Sequence, residues 1–266
     1  MLRFSESGSG SAEKILLIQA GTPPMEVAAE QGDLPVWFGA LLKHWSSRIE
    51  VIRLFEGEDL PQPDQNTLAV ITGSWSMVTD REPWSERGAA WIREAVAIGM
   101  PIFGVCYGHQ LIAYALGGSV GWNPKGREVG CQTVSLPPSG LLSPQLEGWP
   151  SEFPAHLTHM QTILSLPPGA VTLAKSANDS HQIVRYARNV FSTQFHPEFT
   201  PEIAKTLICY RQNQLSSEDE DPQALIEQLT DTPEASGLLV RFIQDNLMAA
   251  GDTTRSRHEG AVNALR

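Results

Sequence analysis

Four short, almost wholly apolar runs in the first part of the chain constrain its fold most: residues 14–19 (KILLIQ), 50–55 (EVIRLF), 68–72 (LAVIT) and 101–105 (PIFGV). Runs this short and this continuously apolar read as strands buried on both faces. Between them, residues 35–45 and 84–98 carry apolar side chains at helical spacing, with Trp84, Trp91, Ile92, Ala95 and Val96 on one face of the second. Buried strands alternating with amphipathic helices make a mostly parallel open sheet with helices on both sides, an α/β doubly wound fold.

The second half changes character. Residues 128–136, 171–175, 182–186 and 190–194 are closely spaced strand candidates with little helix between them. They are expected as meandering or antiparallel additions to the central sheet. A helical pattern resumes over 201–212, and further helices are expected over 221–230 and 233–249. The acidic run SSEDED, residues 216–221, reads as a solvated helix start with carboxylates near the positive dipole end. Gly/Ser-rich residues 5–11 suggest a flexible lead. The expected organisation is a lead over 1–12, a main domain over 13–213, a C-terminal helical extension over 214–250 and a frayed tail over 251–266.

Charge excludes some functions. Among 266 residues, 19 Lys and Arg face 30 Asp and Glu, a net charge of −11. Such a surface is poorly suited to nucleic acid or to an anionic membrane. The three cysteines, Cys106, Cys131 and Cys209, are too few and too odd in number for a disulfide framework, which fits a reducing compartment. No signal-peptide core and no stretch of 18 apolar residues is present, so a soluble, cytoplasmic protein is expected.

The chemistry concentrates in two segments. Gly104-Val105-Cys106-Tyr107-Gly108-His109-Gln110 follows an apolar strand and precedes a helical pattern. Cys106 therefore sits where a strand turns sharply into a helix, the nucleophile-elbow position, and a thiol at a helix N-terminus is biased toward thiolate. Cys106 is expected to be exposed and reactive; Cys131 and Cys209, without such context, read as buried structural thiols. Farther on stands Thr193-Gln194-Phe195-His196-Pro197-Glu198-Phe199. If extended, it points His196 and Glu198 the same way. Pro197 would stop the strand and leave both side chains at a sheet edge rather than in a core. A nucleophilic thiol needs a base and a group that orients the base, and His196 with Glu198 supplies both. His156 and His159 are spaced H-x-x-H but lack a third ligand, so no metal is expected, and no cofactor.

Together the elbow GVCYGHQ and the segment TQFHPE resemble the class I glutamine amidotransferases, the Cys-His-Glu glutaminases, over residues 14–212. The resemblance implies their flavodoxin-like sheet, with the nucleophile at the carboxyl end of a central strand, an antiparallel extension and C-terminal helices. It implies an oxyanion hole from the backbone N–H groups of Ser74, beside Gly73, and of Tyr107. It implies that Gln110 holds the substrate glutamine, and that the loops containing Gly130 and Cys131, and Met160 and Gln161, touch it. Met160 stands where many members have Gly in a His-Gly-Asp-like loop. The expected reaction is hydrolysis of the γ-amide of glutamine or of a γ-glutamyl compound through a Cys106 thioester.

Glutaminases of this family deliver ammonia to a synthase domain or subunit, as in GMP synthase. No Gly-rich phosphate loop occurs here, and G-x-S-x-G is also absent. The residues after Ser216, about fifty, are too few for a synthase domain. A free-standing member is therefore expected, with a separate synthase subunit as the conceivable partner. Gly32-Asp33-Leu34-Pro35-Val36-Trp37-Phe38 and Phe55-Glu56-Gly57-Glu58 are similar to free-standing members, including the plant γ-glutamyl peptidases. The alternative is thus a γ-glutamyl peptidase releasing amino acids or peptides. A non-catalytic binding relative is disfavoured because all three triad positions are intact.

Overall fold

The computed structural model describes residues 12–247. The expected lead and frayed tail fall outside them except for Ala12, which is buried and bridges in parallel to Leu247 rather than belonging to a flexible segment. Eleven strands occur among the described residues. They are β1 Lys14–Gln19, β2 Ile49–Arg53, β3 Thr67–Ile71, β4 Ile102–Val105, β5 Ser119–Trp122, β6 Glu128–Ser135, β7 Glu152–His159, β8 Gln161–Ser165, β9 Val171–Ala174, β10 Ile183–Ala187 and β11 Val190–Thr193. The helices are α1 Met25–Gln31, α2 Leu34–Leu41, α3 Pro83–Ala97, α4 Tyr107–Ala115, α5 Pro138–Leu141, α6 Pro201–Tyr210, α7 Gln212–Ser217, α8 Pro222–Glu227 and α9 Pro233–Asn246.

Seven strands form one sheet in the order β2-β1-β3-β4-β11-β10-β9. The first five are parallel; β10 and β9 continue antiparallel at one edge. The apolar runs are continuous because both faces are covered. Ile15 and Leu17 of β1, Leu68 and Val70 of β3, and Phe103 and Val105 of β4 enter one core with Phe38, Leu239, Phe242 and Ile243. Their alternates Leu16, Ile18, Ala69, Ile71 and Ile102 enter the opposite core with Trp84, Trp91, Ile92, Leu111 and Ile112. The C-terminal α9 is part of the first core: the Phe242 ring lies 5.2 Å from Phe103 and 5.9 Å from Phe191.

The structure departs from expectation in the second half. Residues 128–136 do not join the central sheet. β6 pairs antiparallel with β7 as a separate ribbon, joined to the sheet region by the isolated bridge between Ser135 and Lys175. β5 and β8 form a second two-stranded sheet. Strand β7 escapes the pattern because Pro154 reads as a strand breaker and His159 stands where the alternation of Phe153, Ala155 and Leu157 calls for an apolar residue. The helix expected over 201–212 ends at Tyr210 and a new one starts at Gln212. Ser216 and Ser217 close that second helix rather than open one. Asp221 alone starts the next, its carboxylate accepting from the Gln223 and Ala224 N–H groups. Among the described residues no helix is long and apolar enough to cross a membrane.

Helix α4 packs closely on β3 and β4, and two glycines permit it. A Cβ on Gly108 would lie 2.5 Å from the Ile71 carbonyl oxygen, and one on Gly104 would lie 2.6 Å from the Gly108 carbonyl carbon and oxygen. Backbone obstructs both positions, so neither clash is relieved by a side-chain rotation. Gly108→Ala is therefore expected to lose about 2 kcal/mol or more in chemical denaturation. Gly39→Ala in α2, where a Cβ meets nothing within 4 Å, should be neutral or gain about 0.5–1 kcal/mol. Similar losses in both variants would show that the close approach of α4 does not govern stability here.

Candidate active site

Cys106 lies between β4 and α4 with φ 50° and ψ −96°, a conformation that non-glycine residues seldom adopt. Three backbone hydrogen bonds hold it. Cys106 N–H donates to Thr193 O (2.8 Å), Gly108 N–H to Thr72 O (3.2 Å) and Gln110 N–H to Cys106 O (3.1 Å). The ends of β3, β4 and β11 thus meet at one turn. The side chain is not exposed as the motif suggested. Only 7% of the residue is accessible, because the flanking elements close over it and leave it facing a cavity. The other thiols also differ from expectation: Cys131 is half-buried and Cys209 is exposed.

His196 follows β11, and its N–H donates to His156 O of β7 (2.9 Å). His196-Pro197-Glu198-Phe199 is a turn, with the Phe199 N–H reaching back to His196 O, not the extended segment expected. The turn folds Glu198 under the imidazole, and Nδ1 lies 2.8 Å from Glu198 Oε1. Both residues are buried rather than set at a sheet edge, because β11 is an interior strand flanked by β4 and β10. Phe199 stacks flat on the His196 ring, with centroids 4.0 Å apart and planes 12° apart, and Trp37 meets Phe199 edge-on at 5.7 Å. The Gly-Asp-Leu-Pro-Val-Trp-Phe segment therefore supports the imidazole from behind. Asp33 caps α2, and Trp37 is pinned through its indole N–H to Gln31 O.

Gly73 packs against both partners. A Cβ there would sit 3.1 Å from His196 Cε1 and 3.6 Å from Cys106 Cβ. Burial works against the Cys106 thiolate, yet the adjacent His196 imidazolium outweighs it and holds the thiol below its ordinary value. Burial likewise works against a charged His196, but Glu198 and Cys106 together hold its pKa well above the usual imidazole range. Charge on either group thus favours charge on the other.

The cavity, about 570 Å³, is lined by Cys106, Ser74, Tyr107, Gln110, Met160 and Gln161 among others. Neither the Ser74 nor the Tyr107 backbone N–H donates to another group among the described residues. Gln110 lines the cavity, but its amide N–H groups are already given to Gln161 O (2.7 Å) and Gln194 Oε1 (2.9 Å). Gln161 donates to Thr79. Two expected contacts lie elsewhere. Gly130, at φ 85°, faces Leu225, and Cys131 pairs with His156 in the β6–β7 ladder. The ribbon reaches the cavity instead through Thr158 and His159 of β7.

His156 and His159 point to opposite faces of β7, as residues three apart on a strand must. His159 instead meets Glu128 and Asp179, with ligand atoms within 4.8 Å of one another. Its Nε2 bonds Glu128 Oε2 (2.9 Å) and its Nδ1 bonds Gln161 O (2.9 Å). Both partners offer acceptor oxygens. Burial opposes a charge on the ring, and Glu128 and Asp179 favour it, with a raised pKa as the result. Ser176 and Gln182 donate to Glu128, and Thr162 donates to Asp179. The ring clamps the Met160–Gln161 segment beside the cavity. Sequence reading missed this clamp, and also Phe199, Trp75 and Arg211. Only Phe199, beside the His-Pro-Glu segment, carried a local signal.

Alkylation of Cys106 by iodoacetamide should follow a titration whose midpoint lies below that of an ordinary thiol, about 8.5. Reactivity is then full above that midpoint and lost as pH falls through it. His196→Ala should move the midpoint upward, and Cys131, whose thiol burial pushes up, should lag. A midpoint unchanged in His196→Ala would disprove the coupling.

Comparison with known proteins accords with this geometry. The family described as "Glutamine amidotransferase class-I" matches residues 56–213. A glutamine amidotransferase-like protein of Salmonella typhimurium is 34% identical over 67% of this chain and 77% of its own. A gamma-glutamyl-L-1-hydroxyisopropylamide hydrolase of a Pseudomonas species is 30% identical over 61% of this chain and 59% of its own. A solved glutamine amidotransferase from Thermotoga maritima shares the fold with a TM-score of 0.70 at 23% identity, over 89% of this chain and 99% of that one. With its thiol elbow, its buried His-Glu pair and this match over more than half its length, the chain belongs to the class I glutamine amidotransferase family.

Proposed function

We propose that this protein hydrolyses the γ-amide bond of glutamine or of a γ-glutamyl compound, with Cys106 as nucleophile, His196 as proton carrier and Glu198 as its orienting carboxylate. The reading is carried by one observation: Cys106 lines a cavity together with Ser74 and Tyr107, whose backbone N–H groups donate to no group among the described residues, and a buried His-Glu pair follows the neighbouring strand. The thiolate attacks the γ-carbonyl carbon and forms a C–S bond. Charge moves to the carbonyl oxygen, which the Ser74 and Tyr107 N–H groups receive; each such donor is typically worth a factor of about 10²–10³ in rate. As the C–N bond breaks, the His196 imidazolium gives its proton to the departing amine. Water then attacks the thioester, His196 takes the water's proton, and the C–S bond breaks to release the acid and restore the thiolate.

Within that chemistry, hydrolysis of γ-glutamyl amides without a synthase partner is the reading favoured. A cavity of about 570 Å³ is in the range of sites for drug-sized ligands, and the Pseudomonas relative is named as a γ-glutamyl amide hydrolase. A glutaminase dedicated to a separate synthase subunit is the second reading.

Purified protein assayed on glutamine and several γ-glutamyl dipeptides should turn over at least one of them unaided. Cys106→Ala should abolish that turnover, with only a modest fall in thermal midpoint from the loss of one small buried group, about 1 kcal/mol. Glu198→Gln should lose less activity than His196→Ala, because Glu198 orients the ring without handling the proton. Equal losses would assign Glu198 a direct role; background rates on every substrate until a second protein is added would establish the partner-dependent reading.

A further inference from the structure

Two guanidinium groups line the cavity, and the fold treats them differently. Arg127 is neutralised. Its Nε lies 2.7 Å from Glu218 Oε2 and its Nη2 lies 3.2 Å from Oε1, so one carboxylate takes the guanidinium fork. Arg211 has no such partner. It sits at the junction of α6 and α7, held by its backbone N–H to the carbonyls of Leu207 and Ile208. Its side chain lies over the Trp75 ring at 5.8 Å and donates one hydrogen bond, from Nη1 to Thr158 Oγ1. It forms no ion pair among the described residues. Burial and the neighbouring charge of Arg127 pull its pKa down to about 10, so it remains a cation at neutral pH.

A guanidinium has five N–H donors in a planar fork that matches a carboxylate. Withdrawing such a cation from water without a counterion is unfavourable. Glu218 engages Arg127, and Arg211 lines the same cavity as Cys106. We propose that Arg211 is the substrate-recognition residue of this site, binding a carboxylate of the γ-glutamyl compound while Cys106 addresses its γ-amide. The counterion missing from the protein arrives with the ligand. Trp75 and Thr158 hold the fork flat, and the Arg127–Glu218 pair anchors α7 beside it. This inference rests on the γ-glutamyl reading above. Two carboxylates have the required chemistry: the α-carboxylate of the γ-glutamyl unit and the carboxylate of a departing amino acid.

Binding measured by calorimetry in the Cys106→Ala protein separates recognition from chemistry. Three probes separate the two carboxylates: γ-glutamylglycine carries both, γ-N-methylglutamine only the first, and N-(4-aminobutanoyl)glycine only the second. Adding Arg211→Met, which keeps apolar contact with Trp75, should raise the Kd for γ-glutamylglycine at least about tenfold. Arg211→Lys should recover part of that loss, since the charge returns without the fork. Loss confined to γ-N-methylglutamine assigns the α-carboxylate; loss confined to N-(4-aminobutanoyl)glycine assigns the leaving group. Unchanged affinities in a folded Arg211→Met protein, or no binding of any probe before that substitution, overturn the proposal. Arg211-dependent binding with no turnover of γ-glutamylglycine by the unsubstituted enzyme would leave the carboxylate site standing and refute the hydrolase reading.

Discussion

At Cys106 the chain is held at a positive φ that costs on the order of 1–3 kcal/mol for a residue with a side chain, and much of the surrounding structure serves to hold it there. The carbonyls of Thr72 and Thr193, at the ends of β3 and β11, each accept an N–H from the turn. Gly104 and Gly108 let α4 approach the strands closely enough for those bonds to form. The parallel sheet brings the carboxyl ends of three strands together, and the doubly wound arrangement covers both of its faces. A loosened elbow would move the thiol and the two adjacent N–H groups together.

Charge at the site is arranged around that thiol. Two imidazoles lie buried near it, each beside a carboxylate: His196 on Glu198 and His159 on Glu128, with Asp179 close by. Those partners raise the pKa of both against the cost of burial. His159 is among the groups that lower the Cys106 pKa, after His196. It also bonds the Gln161 carbonyl, which in turn accepts from Gln110. The clamp thus couples the geometry of one cavity wall to the electrostatics of the nucleophile.

The C-terminal helices do more than extend the domain. Helix α9 fills the core beneath the sheet with Leu238, Leu239, Phe242 and Ile243. The α6–α7 junction brings Tyr210, Arg211, Asn213 and Gln214 to the cavity, while Leu225 of α8 packs against Gly130. The segment that closes the core therefore also shapes what the cavity admits.

Much of this was legible in the residues themselves. Continuous apolar runs specify buried parallel strands because both faces must be covered, and Lys14–Gln19 appears within the bounds read from sequence. The elbow at Cys106 and the His196–Glu198 partnership are also local, since a strand, a glycine and a helix start lie within a few residues. Even so, the partnership forms through a turn rather than an extended strand. What only the tertiary structure decided is everything that depends on approach between distant segments. Arg127 finds Glu218 from 91 residues away, His159 finds Glu128 across the ribbon, and Arg211 reaches the cavity although its neighbours read as ordinary helix. The ribbon β6–β7 leaves the central sheet, and in it Cys131 pairs with His156 rather than lining the cavity. Periodicity and turn chemistry act over a handful of residues. Burial, pairing of charges and cavity shape are properties of packed surfaces, and those exist only once the sheet has assembled.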